Sequence, residues 1–184
     1  MKFAEKLLTT KSIYQGRIIN LEEQTVELPN GQTAQREIVR HHGAVALLCL
    51  TAAKDKIILV RQWRQPINKT TLEIPAGKIE AAEEPLVTAR RELNEETRLA
   101  AKQLEQIAVF YTSPGFADEK MYLYVAHDLR PVKNQLPQDD DEFLELVELT
   151  MEETDQAIAA GEICDSKTLM AIWYWKLLKT QTKG

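Results

Sequence analysis

Glu92, Glu95 and Glu96 are related by i, i+3 and i+4, so on a helix all three project from one patch, where like charges repel. Something must offset that repulsion. A hard divalent cation does so, because Mg²⁺ prefers oxygen ligands and commonly takes one or two carboxylates plus waters and substrate phosphate oxygens. Arg91 stands in the same cluster and can brace a neighbouring carboxylate in a bidentate pair, while Gly77 allows the close backbone approach that a ligand or metal needs. A solvated acidic helix face is the ordinary reading of paired glutamates. The nearby Arg and Gly favour a metal site instead.

The stretch that must position these groups runs from Leu72 to Leu99, LEIPAGKIEAAEEPLVTARRELNEETRL. It reads as a short apolar strand, a Pro-Ala-Gly turn and an acidic helix. The helix begins near Glu83 or Glu84, because Pro85 suits a first-turn position and early carboxylates complement the positive helix end. Leu86, Ala89, Leu93 and Thr97 form its expected buried stripe.

Gly77, five residues, Glu83, seven residues, then Arg91-Glu92-Leu93, one residue and Glu95-Glu96 closely resemble the signature box of the Nudix hydrolases. Those enzymes cleave nucleoside diphosphates linked to another moiety. One position departs from the pattern: the box usually has Gly two residues after the glutamate pair, and this chain has Arg98. An Arg there must adopt a left-handed conformation or let the helix continue.

At 184 residues the chain suits one folded body that buries roughly 70% of the surface it would expose unfolded. The two cysteines, Cys49 and Cys164, call for no disulfide and suit a reduced, intracellular protein. Lys plus Arg number 23 against 28 Asp plus Glu, and the net charge of −5 argues against broad binding of nucleic acid or anionic membranes. The N-terminus lacks a signal-peptide core and no apolar run approaches a membrane span, so a cytoplasmic location is expected.

In chain order, Ile13 to Ile19 and Thr25 to Leu28 read as strands, and Pro29-Asn30-Gly31 turns the second into Thr33 to Val39. So polar a hairpin buries little by itself, which suggests packing on the main body or on a second chain. We expect residues 1–42 to form this N-terminal segment and residues 43–184 the main domain. Ala44 to Leu50 suits a central strand and Ile57 to Trp63 the next. Ile107 to Tyr111 and Lys120 to Ala126 flank a loop over 112–119. After the acidic stretch Pro137 to Glu142 come a strand from Phe143 to Leu149 and a helix with Thr150 and Glu153 as a capping box. A last helix, capped at Asp165 or Ser166, runs to about Lys179. This order supports an α+β or α/β class with a mixed sheet between helical layers. The resemblance implies, more specifically, the Nudix alpha/beta/alpha sandwich.

Outside the box, VRQWR at Val60 to Arg64, EIPAGKIE at Glu73 to Glu80 and TSPGF at Thr112 to Phe116 resemble the ADP-ribose pyrophosphatase branch, over about residues 10 to 180. The resemblance implies hydrolysis of ADP-ribose to AMP and ribose 5-phosphate by a homodimer that uses Mg²⁺, with Mn²⁺ as the alternative ion. It also implies Glu92, Glu96 and the Ala76 carbonyl as metal ligands, with Glu95 and Arg91 completing the catalytic set. The general base in this branch comes from an acidic loop after the box, here Glu142, with Asp140, Asp141 and Glu119 as competitors. Ser113, Pro114 and Glu119 belong to the loop that shapes the substrate pocket. Arg36 and Arg64 are the arginines assigned to the substrate, with Arg40 a competitor of Arg36, because a guanidinium fork fits phosphate oxygens. Trp63 suits either adenine stacking or packing, and His41, His42 and His127 lack metal-ligand spacing. Another nucleoside diphosphate sugar or a dinucleotide remains an alternative substrate. A non-catalytic nucleotide-sensing module is a third reading, disfavoured because the box carboxylates are all present.

Overall fold

The computed structural model describes residues 2–138 and 143–181. Among the described residues the elements are ten strands, three α-helices and one 3-10 turn (Gln65–Ile67), an α+β architecture with a mixed sheet as expected. They fall into two compact units, one of residues 1–43 with 110–121 and the other of residues 44–109 with 122–184. Residues 110–121 group with the N-terminal strands.

The first unit is built on a three-stranded antiparallel sheet of β1 (Lys6–Gln15), β2 (Ile19–Glu27) and β3 (Thr33–His41), in that order. Where the sequence suggested one strand over Ile13 to Ile19, Gly16 to Ile18 instead turn the chain, and the Gly16 N–H donates to the Ile19 carbonyl at 2.9 Å. The turn at Pro29-Asn30-Gly31 forms as expected, with Gly31 at φ 83° in the left-handed region that suits it. The loop over 112–119 is fastened to β3. Val39 N–H donates to Phe116 O at 2.8 Å, and Asp118 N–H returns the bond to Val39 O at 3.1 Å. Asp118 also accepts from the His41 N–H at 2.8 Å and from Arg40 at 3.0 Å.

The second unit carries β4 (Ala44–Leu50), β5 (Lys56–Arg64), β6 (Lys69–Glu73), β7 (Ala76–Lys78) and β10 (Glu145–Thr150), with β8 (Leu99–Tyr111) and β9 (Lys120–Pro131). The seven-stranded sheet runs β10-β5-β4-β9-β8, with β6 on β5 and β7 on β4. Ala44 to Cys49 are buried throughout, as a strand covered on both faces requires. Val45, Leu47 and Cys49 join Ala89 and Leu93 of helix α1 (Pro85–Thr97) in one apolar cluster. Helix α3 (Ser166–Gln181) also packs on β4, burying Ala171, Ile172 and Trp175. Helix α2 (Met151–Ala159) has the Thr150–Glu153 capping box complete. No helix of the described residues is long and apolar enough to cross a membrane.

Two expectations need correction. Leu86 is 42% exposed, and the buried face of α1 is instead Thr88, Ala89, Glu92, Leu93, Glu96 and Thr97. The helix is rotated so that its acids, not its first leucine, turn inward. The strand expected from Phe143 starts at Glu145, and Phe143 is exposed.

Candidate active site

Helix α1 starts after Glu84, with Pro85 in its first turn, and ends at Arg98, which takes the left-handed conformation at φ 61°. Its N–H donates to Asn94 O at 2.9 Å, so this Arg closes the helix where Gly usually does. Because Ala89 and Leu93 anchor α1 in the apolar cluster, Glu92 and Glu96 are fixed on its inward side. The backbone of β7 meets them there. A Cβ on Gly77 would lie 1.9 Å from the Glu92 carboxylate, so any larger residue there would push that carboxylate out of place. The Ala76 N–H donates to Glu96 Oε2 at 3.0 Å.

Arg91 gathers the remaining acids. Its Nη1 donates to Glu92 Oε1 at 2.7 Å and to Glu95 Oε2 at 2.8 Å, while Nε and Nη2 grip Glu83 at 3.2 and 3.0 Å. Burial lowers the affinity of Arg91 for its proton, but the bond to Glu83, the charge of Glu92 and the bonds to Glu95 and Glu92 raise it well beyond the usual range. The same bond from Arg91 holds the Glu83 carboxyl below its ordinary value. One guanidinium thus stands among three carboxylates, with Glu96 on the same buried face of the helix, so the cluster is rich in hard oxygen donors with an acidic excess. That chemistry fits a divalent ion such as Mg²⁺. Among the described residues no three His, Cys, Asp or Glu side chains converge to cage a metal on their own.

Arg64, assigned to the substrate, lies in the same unit with its Nε and Nη2 on the two oxygens of Glu73 at 2.8 and 2.7 Å. Glu73 is 2% exposed and also accepts from Thr71 and Lys167. Burial pushes its carboxyl up, but Arg64 and Lys167 outweigh that and hold it at about 2. Nothing in the sequence flagged Glu73 or Lys167. The usable signal was a charged residue among the apolar neighbours of LEIP, which a buried strand end tolerates only when paired.

Arg36, Ser113, Pro114 and Glu119 belong to the first unit. Arg36 donates to Glu5 from both Nε and Nη2 and lines a surface cavity of about 420 Å³ with Gln35, Val39, Gly115 and Phe116. Its competitor Arg40 is held between Glu22 and Asp118. The Ser113 carbonyl accepts the N–H groups of Phe116 and Ala117, Pro114 is exposed, and Glu119 accepts from Thr112 Oγ1 at 2.6 Å. His41 and His127 face carboxylates, Glu119 at 3.8 Å and Glu105 at 2.9 Å. Trp63 is exposed and donates to Gln65, so it is not a core residue. Glu142, Asp140 and Asp141 lie outside the described residues.

Residues 40–170 match the NUDIX domain family model, and residues 5–39 match the nucleoside diphosphate sugar hydrolase N-terminal domain. The chain belongs to the Nudix family. It is 50% identical over 175 residues to the methanol dehydrogenase activator of Bacillus methanolicus, covering 95% of this chain and 94% of that one. It is 47% identical over 173 residues to the ADP-ribose pyrophosphatase of Bacillus subtilis strain 168, covering 94% and 93%. The crystal structure of an ADP compounds hydrolase shares the Nudix fold with a TM-score of 0.82 at 23% identity, covering 96% of this chain and 95% of that one. Nudix ADP-ribose pyrophosphatases generally need a divalent metal ion.

Proposed function

We propose that this Nudix protein hydrolyses the pyrophosphate bond of ADP-ribose with Mg²⁺, releasing AMP and ribose 5-phosphate, and that it acts in the cytoplasm as a homodimer. The observation that carries the reading is the inward carboxylate cluster of α1, ordered by Arg91 and backed by Gly77. The 47% identity to the Bacillus subtilis enzyme directs that chemistry to ADP-ribose.

Glu92, Glu96 and the Ala76 carbonyl would hold the divalent ion, which would neutralise the pyrophosphate and acidify a bound water. The water oxygen adds to one phosphorus, the bridging P–O bond breaks, and the water's proton passes to a carboxylate, for which Glu142 is the first choice. Arg91 keeps Glu92 and Glu95 in fixed orientation, so no reorganisation is needed during the reaction. Within the second unit Arg64 would bind the substrate's anionic part, and Arg36, Ser113, Pro114 and Glu119 are the substrate residues we assign within the first unit. The homodimer reading is supported by Leu7, Leu8, Ile13 and Tyr14, large apolar groups left exposed on β1.

A substrate panel tests the assignment. ADP-ribose should be turned over at least tenfold faster than GDP-mannose or a diadenosine compound, and the reverse order would replace it with another nucleoside diphosphate. A second reading, activation of a dehydrogenase, is supported by the 50% identity to the Bacillus methanolicus activator. It requires that the purified protein raise the rate of that organism's methanol dehydrogenase, and an unaltered rate dismisses it.

A further inference from the structure

The first turn of α3 carries a charge cluster that lies outside the Nudix box. Lys167, 8% exposed, donates to the Glu73 carboxylate and to Asp165 Oδ1 at 2.9 Å. The same Asp165 oxygen accepts the Thr168 N–H at 3.1 Å, and Thr168 Oγ1 accepts the Ile74 N–H at 3.0 Å. One helix turn therefore grips two consecutive residues, Glu73 and Ile74. Three residues after Glu73, Ala76 directs its N–H at Glu96, so the segment that anchors Arg64 also supplies the backbone of the carboxylate site.

Glu73 accepts four hydrogen bonds, two from Arg64, one from Thr71 and one from Lys167. Its Oε2 is shared between the Arg64 fork and the Lys167 ammonium. If Glu73 were paired with Arg64 alone, a buried carboxylate would neutralise the guanidinium and weaken its pull on any further anion. With Lys167 on the other side, itself also paired with Asp165, the buried Glu73 oxygen is shared between two donors and Arg64 is not its sole partner. Arg64 is 42% exposed, and among the described residues its hydrogen bonds go to Glu73 alone. Its Nη1 stands outside the pair with Glu73.

We propose that Lys167 is a positioning residue for Arg64: by holding the Glu73 carboxylate from the buried side and drawing part of its charge away from the guanidinium, it fixes the fork and leaves the Arg64 edge outside that pair for a substrate phosphate. This rests on the reading of Arg64 as a pyrophosphate-binding residue. An Arg at position 167 would keep the charge, whereas a Met would keep only the apolar stem.

The test is steady-state kinetics on ADP-ribose with wild type, Arg64→Ala, Lys167→Met, Lys167→Arg and the double variant Lys167→Met/Glu73→Gln. Lys167→Met should raise KM about tenfold with kcat within about threefold, and Lys167→Arg should recover most of the loss. Adding Glu73→Gln should bring KM back to within about threefold of wild type, because Arg64 then no longer faces an unshared carboxylate. A purely structural role for Lys167 would reduce the active fraction without moving KM, and the second substitution would not reverse it. An unchanged KM in Lys167→Met, or a double variant worse than Lys167→Met, overturns the proposal. If Lys167→Met does not fold, the double variant decides, and a tenfold rise in its KM contradicts the proposal. Arg64→Ala tests the underlying reading separately: if it leaves KM unaltered, both fall, and if it alone raises KM, only the role of Lys167 falls.

Discussion

Gly77 and Glu92 are in such close approach that a single methyl group on Gly77 would overlap the Glu92 carboxylate at 1.9 Å. Strand β7 meets helix α1 there across the Glu92 side chain, whose carboxylate has the Gly77 backbone on one side and accepts from Arg91.

Gly77→Ala should therefore act on chemistry more than on folding. The Glu92 carboxylate must swing away or β7 must shift, which costs about 1–3 kcal/mol of stability as other overpacking changes do. Turnover should fall at least a hundredfold, because the displaced carboxylate also leaves the Arg91 pair. A variant that melts within a few degrees of wild type and keeps full kcat would show that Glu92 needs no such placement.

Glu92→Gln and Glu96→Gln should each reduce kcat by several orders of magnitude while changing metal-free stability by no more than about 1 kcal/mol. Gln keeps the volume and can still accept from Arg91 or from the Ala76 N–H, and it removes one charge from the crowded patch. Thermal melts with chelator, alongside rates at saturating Mg²⁺, check this. Near-normal rates for both would eliminate the ligand set.

The box was legible in the sequence because helical spacing alone gathers Arg91, Glu92, Glu95 and Glu96, and the capping box at Thr150 is equally local. What was missed is non-local. Lys167 reaches Glu73 across 94 positions, and no periodicity in either segment marks the other. Leu86 was misassigned because an amphipathic count favours apolar residues inward, whereas this helix turns carboxylates inward for its site. Arg98 could not be settled from sequence, since both a left-handed cap and a longer helix were open to it, and the cap is what forms.

The depressed Glu73 carboxyl gives a pH signature. Its folded value of about 2 lies below its ordinary value of 4.5, so the ion pair stabilises the fold above about pH 4.5 and that contribution disappears as pH falls toward 2. The difference is about 3 kcal/mol, to order of magnitude. Denaturant titrations of wild type and Glu73→Gln should show a gap of that order at neutral pH that closes on acidification. A gap that is constant with pH would mean Glu73 stabilises by packing, not by charge.

We propose Glu142 as the general base. Glu142→Gln should lower kcat strongly with little change in KM, since losing a base affects the transition state more than ground-state binding. Glu119, held by Thr112, should matter less to kcat. If Glu119→Gln loses turnover and Glu142→Gln keeps it, the base lies in the loop over 112–119.

Light scattering of wild type and Ile13→Lys checks the homodimer. A wild-type dimer and a monomeric, weakly active variant are expected, because the charge falls on the exposed apolar face of β1. A fully active wild-type monomer of 21.0 kDa would remove the basis for that reading.

Product analysis of ADP-ribose incubated with the wild-type protein and Mg²⁺ addresses the proposed reaction most directly. AMP and ribose 5-phosphate should appear in equal amounts, vanish with a chelator and be absent with Glu96→Gln. Intact ADP-ribose, or products of cleavage anywhere other than the pyrophosphate, would contradict it.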